Sequence, residues 1–230
     1  MPREHFHETL ERTEIDLLEM GELSALAVEQ AVAALGHDDL DLAAKVVDED
    51  DAIDAKYMSI EEGTLQMLAL QTPVATDLRL VSTILHINLH LERIGDQAVN
   101  VAKTVRWAHG KPGDDQIRAM IQEMGDLVVP MVRTSMEAFR RRELELCLKL
   151  PEMDDPVDRL NRNMHGEVTR LADDTDKLDW GLHMSLVARH LERVGDNAVD
   201  VGEQVGFLLT GKFREFTDAS HPVEANPDAD

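Results

Sequence analysis

The chain has 230 residues and carries 46 acidic against 23 basic side chains, a formal charge of −23. That balance excludes a nucleic-acid binder, which needs a basic face, and it works against attachment to an anionic membrane surface. Hydrophobic residues make up 43% and aromatic residues only 3%, so the core must be aliphatic.

A single cysteine, Cys147, excludes an internal disulfide and fits a reducing interior. No apolar run approaches the ~18 residues of a membrane span. Met1-Pro2-Arg3-Glu4-His5 lacks the apolar stretch of a signal peptide, so a cytoplasmic protein is expected. Of the basic residues 16 are Arg and 7 are Lys. An acidic, lysine-poor surface fits a protein of salt-loaded halophile cytoplasm, where the Debye length falls to about 3 Å at 1 M salt. An acidic mesophile protein is the plain alternative.

In chain order, the first helix is expected from about Glu4 to Leu35, with Leu10, Leu17, Met20, Leu23, Ala27 and Ala31 giving its period. Gly36-His37-Asp38-Asp39 reads as a stop and a new N-cap. The second helix follows to about Leu70, its apolar side carrying Val46, Ile53, Tyr57, Ile60 and Met67. Thr72 reads as the N-cap of the third helix and Pro73 as its first residue. That helix ends near Trp107.

His109-Gly110-Lys111-Pro112-Gly113 is the clearest break. A fourth helix is expected from about Asp114 to Arg141. A fifth runs from Glu143 to about Asp173, kinked or interrupted at Pro151 and Pro156. A sixth runs from about Lys177 to Thr210. No segment reads as a strand. The expected fold is all-α: two tandem antiparallel three-helix bundles, residues 1–109 and 114–211, with a disordered tail over residues 212–230.

His90-Leu91-Glu92-Arg93-Ile94-Gly95-Asp96 returns 100 positions later as His190-Leu191-Glu192-Arg193-Val194-Gly195-Asp196. A repeat of this size means two copies of one structural unit, related by a two-fold or a translation. Ile87, Leu91, Ile94, Ala98, Val101 and Val105 form a helical seam, and so do Val187, Leu191, Val194, Ala198, Val201 and Val205. Glu92, Asp96 and Asn100 fall on another stripe, roughly 140° from that seam. Glu192, Asp196 and Asp200 repeat it. These side chains point away from their own helix's core, toward solvent or a neighbouring helix.

The second and fifth helices also match. Asp50 and Asp54 align with Asp154 and Asp158. Each half thus has two acidic pairs at i,i+4 spacing, each destabilising its helix by about 0.2–0.5 kcal/mol. A bound cation would compensate. All-oxygen donors suit Mg²⁺, Ca²⁺, Mn²⁺ or iron and do not suit structural zinc. The competing reading is a solvated acidic face. Retention of these acids in both copies, while other surface positions drift, favours the cation.

His90 and His190 lie about 160° round the helix from the glutamates. A half-buried interhelical hydrogen bond suits them better than metal ligation. Arg93 is spaced to pair with Asp96. Gly95 and Gly195, costly within helices, suggest close approach of another backbone. Met120, Met124, Met131 and Met136 read as core filler.

The doubled Leu-Glu-Arg-[Ile/Val]-Gly-Asp block, with acids four apart, resembles the PhoU family of phosphate-transport regulators. Gln71-Thr72-Pro73-Val74-Ala75-Thr76-Asp77-Leu78-Arg79 resembles a second stretch typical of that family. The resemblance spans about Glu4 to Leu209. It implies a six-helix, two-bundle protein whose acidic motifs bind metal clusters, chiefly iron. The matching positions are Asp50, Asp54, Glu92, Asp96 and Asn100, and Asp154, Asp158, Glu192, Asp196 and Asp200. It further implies a non-enzymatic regulator that keeps the phosphate-starvation response off. Its implied partners are the ATPase subunit of the phosphate ABC transporter and, where one exists, a sensor kinase; homodimers are common.

This sequence departs from the family pattern in three places. Asn100 replaces an acid, Pro156 separates the acids of the second pair, and the second half lacks a counterpart of Gln71 to Arg79. The runner-up is a carboxylate-bridged di-metal enzyme of ferritin type. That chemistry wants two Glu-x-x-His motifs in a bundle core, and only Glu4 to His7 matches.

Overall fold

The computed structural model describes residues 2–71, 73–74 and 76–216. Six helices follow in order: α1 (Pro2–His37), α2 (Leu40–Gln71), α3 (Thr76–Ala108), α4 (Asp115–Arg141), α5 (Leu144–Thr169) and α6 (Thr175–Thr210). No strand occurs among the described residues. The helices α1, α2 and α3 pack on one another, as do α4, α5 and α6. The halves join along α3 with α6 and α1 with α4. The architecture is the all-α pair of three-helix units expected from the repeat. No described helix is long and apolar enough to cross a membrane.

The seams do the packing. All twelve apolar seam residues of α3 and α6 are buried. Met124, Met131 and Met136 lie in the core, with Met120 packed at its edge. Each buried Val, Leu, Ile or Met side chain contributes roughly 1.5–3 kcal/mol, and their sum offsets the ordering of long helices. The one cysteine is buried, and its Sγ donates to the Glu143 carbonyl.

The relation between the halves is a two-fold, not a translation. Contacts across their junction are reciprocal. His90 Nδ1 meets Asn197 Oδ1 at 2.9 Å, and His190 Nδ1 meets Gln97 Oε1 at 2.7 Å. Asn197 Nδ2 donates to the Arg193 carbonyl, so its Oδ1 is the acceptor and His90 carries the proton on Nδ1. On the other helix pair, a Cβ on Gly21 would come within 2.7 Å of Met136 Cγ. A Cβ on Gly125 would come within 2.7 Å of Val32 Cγ1. When residue i touches j′ and j touches i′, the operator is a two-fold rotation. Both histidines make the interhelical bonds expected of them.

The C-terminal ends of α1 and α4 obey the same symmetry. Asp38 and Arg142 each close a helix in the left-handed region at φ 55°. Asp39 Oδ1 then accepts from the Asp41 and Leu42 amides and caps α2. Asp114 and Asp174 cap α4 and α6 in the same way. Thr72, the expected N-cap of α3, lies outside the described residues. Pro73 is not helical; α3 begins at Thr76.

The helix α5 runs unbroken through Pro151 and Pro156, and α4 through Pro130. The lost backbone bonds are outweighed by apolar burial beside the prolines, where Cys147, Leu150 and Val157 are all buried. The fifth helix ends at Thr169, earlier than expected. Residues 212–216, expected in a disordered tail, lie against α6. The Phe216 amide donates to Glu203 Oε1 at 2.5 Å, and Phe213 stacks on Phe207. Residues 217–230 lie outside the described residues.

Candidate functional site

In the first half, α2 and α3 bring Asp50, Asp54, Glu92 and Asp96 into one electrostatic neighbourhood. Burial, then repulsion from Asp54 and Asp96, raises the Asp50 carboxyl above the usual carboxylate range. Burial, then Asp96 and Asp54, raises Glu92. The side chains therefore face the neighbouring helix, one of the two directions the helical period allowed.

Gly95 shapes this contact. A Cβ there would lie 3.3 Å from Asp50 Oδ1 and 3.1 Å from Ile53 Cδ1. In the second half a Cβ on Gly195 would collide with Asp154 Oδ1. The approach expected at these glycines is thus by a carboxylate of the preceding helix, not by another backbone. Glycine at this position opens a cradle that lets the acid settle against α3 or α6.

The second half is deeper. Asp154, Asp158 and Glu192 are buried. Burial, then Asp196, pushes the Glu192 carboxyl up to about 7. Asp196 is raised by burial and then by Asp158. Glu192 and Asp196 lie within hydrogen-bond reach of each other. Two carboxyls so placed share a proton or need a cation.

Asp200 serves two neighbourhoods. It repels Asp196, yet its Oδ2 lies 3.4 Å from His90 Nδ1 in the first half. Burial raises the Asp200 carboxyl, and His90 and then Arg93, the residue expected to pair with Asp96, partly oppose that rise. No Arg93–Asp96 ion pair occurs among the described residues. Asn100, which stands where Asp200 does, is half-buried, and its carbonyl accepts from Thr104.

The PhoU domain pattern matches residues 17–105 and 121–205, one copy per half. The chain belongs to the PhoU family. It is 32% identical, over 95% of its length, to the whole of a protein of Clostridium acetobutylicum named "Phosphate-specific transport system accessory protein PhoU homolog". A protein of that name from Pseudomonas putida is 32% identical over 95% of this chain and 84% of its own. The crystal structure of PhoU from Pseudomonas aeruginosa superposes with a TM-score of 0.86 at 33% identity, covering 90% of this chain and 100% of that one. The phosphate transport system regulatory protein PhoU from Streptococcus pneumoniae gives 0.83 at 26% identity, covering 91% of this chain and 99% of that one.

Within this PhoU chain the two acidic sites differ in a way the repeat alone did not reveal. Arg189 Nη1 is bonded to Glu192 Oε1, and Arg162 Nη1 lies 3.0 Å from Asp158 Oδ2. The two-fold places Leu89 and Met58 where these arginines stand. Among the described residues no Lys or Arg forms an ion pair with Asp50, Asp54, Glu92 or Asp96. Comparing the two copies at positions 89 and 189 would have found the first arginine. The second needed the α2–α5 alignment extended by one turn.

The donor chemistry fits a hard cation: mutually repelling carboxylates, from buried Asp154 to exposed Asp96, admitted by a glycine cradle. Among the described residues, however, no three His, Cys, Asp or Glu side chains already converge as around an ion. A cation would have to draw them together.

Proposed function

We propose that this protein is an accessory and regulatory protein of phosphate transport. In this reading it is a metal-binding, non-enzymatic negative regulator of the phosphate-starvation response that acts on the phosphate ABC transporter. The observation that carries it is one PhoU domain in each half, each joined to an acidic pair facing another acidic pair across two helices.

Asp50, Asp54, Glu92 and Asp96 would hold metal in the first half, with Asn100 as a weaker oxygen donor. Asp154, Asp158, Glu192, Asp196 and Asp200 would do so in the second. Iron, Mn²⁺, Mg²⁺ and Ca²⁺ all suit the donors. The bound cation supplies positive charge that cancels carboxylate repulsion and fixes α2 against α3, and α5 against α6. A surface fixed in this way would dock on the transporter's ATPase subunit, and on a sensor kinase where one exists, with the regulator acting as a homodimer in the cytoplasm.

The ferritin-type alternative is not favoured, because the acids lie between helices at the bundle surface and not round a shared core. Elemental analysis after purification in Mn²⁺ or Fe²⁺ tests the metal. Glu92→Ala with Asp96→Ala should lose first-half metal while circular dichroism stays helical. Wild type without bound metal would overturn that part. A pull-down from phosphate-replete cells that lacks the ATPase subunit would overturn the docking part.

A further inference from the structure

We propose that the cleft between the start of α2 and the end of α3 is a docking groove for a partner-protein segment carrying an aromatic side chain beside carboxylates. The second half holds the covered form of such a cleft. There, Phe216 covers the cleft between the start of α5 and the end of α6. A Cβ on Gly202 or Gly206 would lie 3.6 or 3.3 Å from its ring. Phe213 stacks alongside on Phe207, with ring centroids 4.2 Å apart. The chain's own segment is the occupant.

The two-fold carries that cleft onto its twin in the first half. Leu144, Leu148, Glu203 and Gly206 line the covered cleft, and Leu40, Ala44, Lys103 and Arg106 line its counterpart. The counterpart opens about 600 Å³ of space. No described segment lies over it. After α3 the chain turns at Gly110, with φ 69°, into α4. Lys111 lies over the Trp107 ring, and neither residue lines the cleft. The described residues thus supply no occupant, and the charge of the rim points to a segment of another chain.

The rim specifies its chemistry. Glu203 and Gly206 are replaced by Lys103 and Arg106, one turn apart on α3 and both exposed. Neither forms an ion pair among the described residues, in a chain with twice as many acids as bases. Asp48 borders the α2 side of the cleft. The occupant's carboxylates accordingly lie toward α3, with its ring on Leu40, Ala43 and Val47. Aromatic anchors flanked by rim charges are the usual economy of such grooves.

This inference gives the proposed regulator a docking surface but is tested without the transporter or metal. The probe is a labelled six-residue peptide, acetyl-Glu-Asp-Phe-Asp-Glu-Phe-amide, titrated with the full chain by fluorescence anisotropy. Binding is expected for this peptide. It should weaken at least tenfold when both Phe are Ala, or when the protein carries Lys103→Glu and Arg106→Glu. Ala44→Trp, which fills the exposed cleft without touching the core, should abolish it. Equal binding by wild type and Ala44→Trp would overturn the proposal, as would no binding. Concentration-dependent dimerisation lost in Ala44→Trp, without peptide binding, would assign the groove to a second copy and also overturn it. Failure of the ATPase pull-down leaves this assay's result standing.

Discussion

His190 Nδ1 donates to Gln97 Oε1 at 2.7 Å across the junction of the two halves, and the same bond recurs in mirror order between His90 and Asn197. Burial, with Arg193 adding to it, lowers the His190 imidazole below its ordinary value of 6.5. Neutral His190 therefore contributes stability above about pH 6.5 that is lost as pH falls, because the unfolded chain protonates first. Gln97→Leu leaves a half-buried N–H without its acceptor and should cost about 1–3 kcal/mol. A double-mutant cycle with His190→Leu by denaturant unfolding should show coupling of about 0.5–3 kcal/mol. Strict additivity would mean the bond does nothing for the junction.

The glycines at the junction give a second prediction, one of ranking. Gly125→Ala would press on Val32, whose branched Cβ leaves it no rotamer escape. Gly21→Ala would press on Met136, whose chain bends away at smaller cost. In α6, Gly195→Ala would displace the buried Asp154 carboxylate, whereas Gly95→Ala meets Ile53 and the half-buried Asp50 at 3.1–3.3 Å, a tight fit that asks these side chains to give by only a few tenths of an ångström. Alanine itself favours a helix by about 1 kcal/mol over glycine. Gly95→Ala is thus expected within about 1 kcal/mol of wild type. Gly125→Ala and Gly195→Ala should each lose about 1–3 kcal/mol, with Gly21→Ala between them and wild type. Melting temperatures in the reverse order would refute the packing described here.

The sequence made the helices legible because burial follows the apolar period: every residue of the α3 and α6 seams is in the core. The acidic pairs were legible because the repeat retains them. The two-fold was not, because Gln97 and Asn197 differ in kind and distance and only their partners reveal the symmetry. Met20-Gly21-Glu22-Leu23 does return as Met124-Gly125-Asp126-Leu127, a signal for the α1–α4 contact that the longer repeat overshadows. Arg79 shows a further limit. It donates to the Leu208 carbonyl at the end of α6, and no local pattern announces a contact between residues so distant in the chain.

A third prediction concerns pH. Glu192 is held near 7 in the fold against 4.5 when free, by burial first and by Asp196 next. The folded chain keeps a proton here that the unfolded chain releases, so this group's stabilising proton is present below 4.5. Stability is lost as pH rises from 4.5 to about 7. Glu192→Gln removes the titration. Its stability relative to wild type, from denaturant curves in chelator, should rise across that window and level off above about 7. A flat difference would show that Glu192 is already ionised in the metal-free protein.

The arginines of the second half yield the fourth. A guanidinium on Glu192 takes the place of a cation, and the first half has Leu89 there instead. Titration with Mn²⁺ should fill the first half before the second. Arg189→Leu should strengthen second-half binding about tenfold or more, since removing one charge a few ångströms away is worth about 1–4 kcal/mol. Unchanged stoichiometry and affinity in that variant would mean that Arg189 does not compete with metal.

Salt provides the fifth. Cross-helix ion pairs such as Arg133 with Glu22 and Glu29 lose strength when screened. With 46 acids against 23 bases, however, repulsions outnumber such pairs. Exposed pairs are each worth only about 0–1 kcal/mol. Screening should therefore stabilise on balance, as the Debye length shrinks from about 10 Å at 0.1 M to about 3 Å at 1 M. The melting temperature is expected to climb by several degrees between 0.1 and 2 M KCl, and to climb less in NaCl-free buffer already saturated with Mn²⁺, where bound cations have removed part of the repulsion. A melting temperature indifferent to KCl would mean that the acidic surface is spaced widely enough to need no screening.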